Sequence, residues 1–197
     1  MNQTFSRCLG AMAALTVLTA GPAWCDEAVY HIDPAQSRIE FSFRSTLHKV
    51  EGEVHRFAGT FAGRSGLMNH IREGEVIVDT ESLDTFHPKR NQNMLAMFDS
   101  TEYPRIRYRI TEVIGVPAVD GPEGRITLKG VLTIRDREQP IEIPADITET
   151  EEGLRLNGSV DLSLKDFDLK PPSVAMVIRV FDAVHIDFTA LLKEQQT

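Results

Sequence analysis

Apolar and polar residues alternate with a period of two along most of the chain. Ile39, Phe41 and Phe43 are interleaved with Glu40, Ser42 and Arg44, and Ile126, Leu128, Leu132 and Ile134 with Thr127, Lys129, Val131 and Thr133. The same holds for Leu154, Leu156, Val160 and Leu162 against Arg155, Asn157, Ser159 and Asp161, and for Val184, Ile186, Phe188, Ala190 and Leu192 against His185, Asp187 and Thr189. Period-two alternation is the signature of strands with one face buried and one face wet. After a short extended piece at 30–37, shorter runs at 49–61 (two strands), 74–80, 105–110 and 141–147 bring the expectation to eight or nine strands. Turns are expected at Asp120–Gly124, at Asp136–Pro140 and in the Pro-Pro loop Asp166–Ser173.

The stretch Ser82–Tyr108 breaks this rhythm. Met94, Leu95, Met97 and Phe98 fall at helical spacing, Pro88 suits a first helical turn, and Ser100 to Pro104 ends the helix because the residue before a proline is pushed towards extended geometry. On the helical wheel Arg90 and Asn91 share the arc of Met94 and Phe98, whereas Lys89, Gln92 and Asn93 turn away. One short helix is therefore inserted among strands at hairpin spacing, with no βαβ rhythm. That pattern predicts an all-β, antiparallel barrel of about eight strands, with glycines such as Gly52 and Gly59 marking curvature and the helix closing one mouth.

Residues 1–25 carry an apolar core, Leu9 to Ala20, behind Arg7, and read as a secretory signal peptide whose cleavage follows Ala23 or Cys25. Residues 26–197 then form one domain. Both cysteines lie within the first 25 residues, so no disulfide framework is expected. Arg7 is the leader's only charged residue, and its removal makes the formal net charge of −8 one unit more negative. An acidic protein of this kind is not expected to bind nucleic acid, and its only long apolar run is too short for stable membrane insertion.

Catalytic signatures are scarce. The six histidines show no HxH or HExxH spacing, and there is no GxSxG elbow, no phosphate-cradling loop and no dinucleotide fingerprint. No cofactor, no metal and no catalytic residue is expected, and the protein is read as a non-enzyme. The aromatic and thioether inventory says more. Phe41, Phe43, Phe57, Phe61, Phe98, Tyr108 and Phe167, with Met94, Met97 and Met176, form either a packed core or the wall of a cavity that moulds to a mobile apolar ligand. Arg90 and Asn91 are placed at its rim, for a ligand's head group or for water.

The segments YHIDPAQSRIEFSFR, SLDT followed by FDSTEYPRIRY, LKGVLTIRDREQPIEI and LRLNGSVDLSLKDFDLKPPS, taken in order, resemble the YceI-like, polyisoprenoid-binding proteins of bacterial envelopes. The resemblance covers nearly all of 26–197. It implies an extended lipocalin-like barrel, export to the periplasm, and a long isoprenoid chain in the barrel interior. Asn91-Gln92-Asn93 stands where the family often has a histidine, and Asp168 where it usually has glycine. The function expected is periplasmic binding, storage or transport of a polyisoprenoid or similar amphiphilic lipid, with homodimer formation left open. The alternatives are a small lipid-modifying isomerase or hydrolase, with His87 and Asp84 as acid and base, and a ligand-free envelope stress module with a dry interior.

Overall fold

The computed structural model describes residues 27–64, 71–116, 123–171 and 180–195; the leader, Met176 and the first part of the Asp120–Gly124 turn lie outside them. Eleven strands are described: β1 (Glu27–Ile32), β2 (Arg38–Ser45), β3 (Lys49–Val54), β4 (Phe57–Arg64), β5 (Glu73–Asp79), β6 (Leu83–Asp84), β7 (Arg105–Val116), β8 (Glu123–Ile134), β9 (Arg137–Thr150), β10 (Gly153–Ser163) and β11 (Val180–Glu194). The helix, α1, spans Pro88–Phe98. The strands form one antiparallel sheet in the order β1-β4-β5-β7-β8-β9-β10-β11-β2-β3-β6, and pairing of β1 with β11 closes its first eight strands into a barrel.

The extra strands arise at β11, which is long enough to serve two neighbours. Its last turn of ladder, Leu192 to Glu194, pairs with β1, while Val180 to Thr189 pair with β2. One half of the barrel is thus closed by β1 and β4, and the other half is walled by β2 and β3 with the two-residue β6 against β3.

Local chemistry explains two irregularities. The β9–β10 ladder runs from Gly153↔Thr150 to Gly158↔Ala145 and stops where β9 reaches Pro144. Pro144 and Pro140 pair only towards β8, and proline has no N–H to offer the other neighbour. Beyond that point a single 3-10 turn, Leu164–Phe167, lies against β9, held by Gln139 Nε2 donating to the Asp166 carbonyl at 2.7 Å. The second irregularity is the β8–β9 hairpin. Its turn is Arg135–Asp136 alone, with Arg135 at φ 56° and Ile134 paired to Arg137, so the turn expected at Asp136–Pro140 is shorter and most of it is strand.

The core sits in the β1–β4 half. Ile110, Ile126, Ile147, Leu156 and Leu192 are between 0 and 2% exposed there.

Candidate ligand cavity

The other half of the barrel is hollow. A cavity of about 430 Å³ is bounded by β2 and β3 on one side, β10 and β11 on another, inward residues of β5, β7 and β8, and α1 across it. That volume lies within the range of small-molecule sites. Phe41, Phe43, Met94, Met97, Phe98 and Phe167 all line it.

Four expected positions differ. Phe61 is 3% exposed and packs in the core, because its partner Gly74 pairs in turn with Ile110, in the packed half. Phe57 is half-buried against the core and does not line the cavity, since the wall on that side is β3, through Val50 and Val54, and not β4. Tyr108 is 7% exposed and lies beneath the cavity, its hydroxyl donating to the Leu128 carbonyl at 2.8 Å. Burial pushes its hydroxyl pKa well above the usual tyrosine value. Met176 lies outside the described residues.

Asn91 is the fourth, and it has a different task. Its Oδ1 accepts from Thr85 N at 2.9 Å and from Thr85 Oγ1 at 2.6 Å, while its Nδ2 donates to Asp84 Oδ1 at 2.7 Å. Asp84 also accepts from Phe86 N at 2.7 Å, and these hydrogen bonds, with His55 nearby, hold its carboxyl below the usual aspartate range. This tether turns α1 so that Lys89 and Asn93, expected to face away, line the cavity with Arg90 and Met97. His87 forms the N-cap, its Nδ1 accepting from Arg90 N at 3.3 Å, and Asp99 at φ 50° ends the helix in the left-handed conformation.

Arg90 is the notable polar group of the lining. Its Nη2 donates to the Thr85 carbonyl at 2.7 Å, but its Nε is buried and has no hydrogen-bond partner. Lys89, His87, His48 and the 66%-exposed Leu47 lie on the same lining and mark the mouth, because α1 begins there beside the β2–β3 turn. Asp168, at φ 53°, adopts the left-handed conformation that glycine tolerates best, and its carboxylate pairs with Arg137 Nη2 at 2.8 Å. Phe167, just before it, is 2% exposed and contributes to the cavity wall beyond the end of β10.

A family model described as the YceI-like domain matches residues 30–192. This chain belongs to the YceI-like family. Among curated proteins, a UPF0312 protein of Vibrio cholerae is 27% identical over 169 residues, covering 79% of this chain and 85% of that protein. A UPF0312 protein of Vibrio parahaemolyticus is 26% identical over 168 residues, with the same coverage of 79% and 85%. Among solved structures, a polyisoprenoid binding domain from Saccharophagus degradans superposes with a TM-score of 0.68 at 14% identity, over 84% of this chain and 98% of that one. BcnA of Burkholderia cenocepacia gives 0.67 at 16% identity, over 81% and 98%. At such identities the likeness establishes a shared fold. No helix among the described residues is long and apolar enough to cross a membrane.

Proposed function

We propose that this YceI-like protein binds, and so stores or transports, an amphiphile with an apolar chain of isoprenoid type, held tail-inward between the β2–β3 wall and α1. The observation that carries this reading is the pairing of an almost wholly apolar cavity with one buried, unpartnered donor, Arg90 Nε. A buried N–H without a partner costs roughly 1–3 kcal/mol, which an acceptor on a ligand's polar end would relieve. Removing the tail from water at about 25 cal/mol per Å² supplies the main driving force. The polyisoprenoid-binding domain of Saccharophagus degradans, similar in fold, supports the choice of an isoprenoid chain.

Binding rather than turnover fits the polar groups at the mouth. His87 Nδ1 is engaged as a helix cap, and Asp84 is engaged by Asn91 and Phe86 N. The N-terminal apolar run supports a periplasmic site of action, reached through a cleaved leader.

Organic extraction of the purified protein followed by mass spectrometry tests the proposal. A single-chain lipid in near-stoichiometric amount is expected. No lipid, together with failure of the delipidated protein to take up prenyl alcohols, would overturn it.

A further inference from the structure

On five strands of the cavity wall the lining stops part-way along, whereas on β2 it reaches Ile39, the ladder partner of Phe188. On β5, Val78 lines the cavity and Val76, the next inward residue, does not; the same step occurs from Ile106 to Tyr108 on β7 and from Leu132 to Gly130 on β8. It recurs from Leu162 to Val160 on β10 and from Ile186 to Phe188 on β11. Val76 and Tyr108 are paired neighbours, and β7 and β11 lie four strands apart in the ring of eight, hence on opposite sides of the barrel. Tyr108 and Phe188 therefore stand on facing walls, each one inward position below the last residue of its strand that lines the cavity.

Both rings are fixed in place. Tyr108 pairs with Leu132, yet its hydroxyl donates to the carbonyl of Leu128, four residues further along β8, with the Ile141 carbonyl at 3.5 Å. The side chain thus lies along the barrel interior, past Gly130, which brings no side chain to this level. Phe188 pairs with Gly158 and its ring lies over that residue, since a Cβ built on Gly158 would stand only 2.6 Å from Phe188 Cζ. Below this level Ile110, Ile126, Ile147 and Leu156 are between 0 and 2% exposed, so the cavity does not continue.

We infer that Tyr108, with Phe188 facing it, is a floor that limits the length of the bound chain; this rests on the lipid-binding reading above. The ligand class is accordingly a single-chain amphiphile whose buried length this floor bounds. A chain longer than the path from mouth to floor would leave its excess outside.

The test is a series of saturated carboxylates growing by two carbons per member, titrated into delipidated wild type, Tyr108→Ala and Ile106→Phe. In wild type, affinity rises about fourfold per buried methylene and then levels off. Tyr108→Ala moves the levelling point to a longer member, whose affinity exceeds the wild-type value roughly tenfold. Ile106→Phe adds bulk directly above the floor, moves the point to a shorter member, and decides the matter if Tyr108→Ala does not fold. A levelling point shared by wild type and every folded variant, or wild-type affinity that climbs without levelling, overturns the floor while leaving lipid binding intact. Failure of every member to bind any of the proteins overturns both.

Discussion

Asn91 and Thr85 hold α1 to the sheet: the amide oxygen accepts from both the Thr85 N–H, at 2.9 Å, and the Thr85 hydroxyl, at 2.6 Å. Thr85 is 1% exposed, so neither of its donors has water as a ready substitute. Replacing Asn91 by Ala strands these donors and frees Asp84. A loss of roughly 1–3 kcal/mol is expected, seen as a lower urea midpoint with unchanged slope.

Gly52 supports the cavity by its lack of a side chain. A Cβ there would overlap the ring of Phe41 and stand 2.6 Å from the Asp84 carbonyl, which is backbone and cannot yield easily. Gly52→Ala should displace the Phe41 ring from the cavity wall and cost about 1–3 kcal/mol, as overpacking typically does. Thermal unfolding reads the cost, and a reduced affinity for prenyl alcohols reads the altered wall.

Arg90→Met keeps an apolar stem but removes the unpartnered Nε. For a carboxylate-ended chain, affinity should fall about tenfold or more, the scale of a hydrogen bond to a charged group. An uncharged alcohol of equal length should lose less. Lys89→Ala, at the wetter mouth, should weaken carboxylate binding more modestly. Calorimetric titration of the pair of ligands into each variant distinguishes these outcomes.

His185 lies between two carboxylates on the outer wall, with Nδ1 2.7 Å from Asp161 Oδ1 and Nε2 3.2 Å from an Asp187 oxygen. The hydrogen bond to Asp161, with the charge of Asp187, raises its pKa above the ordinary histidine value of about 6.5. A raised folded-state pKa means that the contribution is complete below about pH 6.5 and is lost as pH rises through the elevated value. Because the imidazole is 42% exposed, screening keeps the contribution within about 0–1 kcal/mol. An NMR titration of the ring should give a midpoint above that of a free histidine, and His185→Gln should flatten the small decline in stability over that interval.

Much of the barrel was legible in the chain. Period-two alternation assigned the inward faces of β2, β8, β10 and β11, and the apolar spacing with Pro88 located α1. The wheel of α1 erred in its rotation. An ideal wheel places Asn91 beside Phe98, but it cannot register that Asn91 satisfies Thr85 and Asp84, contacts made with a strand outside the helix. Strand number was undercounted for a related reason: β6 is two residues long and exists only because β3 offers Leu83 and Asp84 a ladder.

The sequence by itself determined which residues point inward, that one helix interrupts the strands, and that the chain is YceI-like. Which inward residues meet a ligand was decided by the tertiary structure. Phe41 and Phe61 are both inward aromatics on alternating strands. Phe41 lines a cavity and Phe61 a packed core, because β11 changes partner from β2 to β1 along its length. Alternation encodes a face of a sheet; whether that face meets close-packed neighbours or open space depends on which strands close around it.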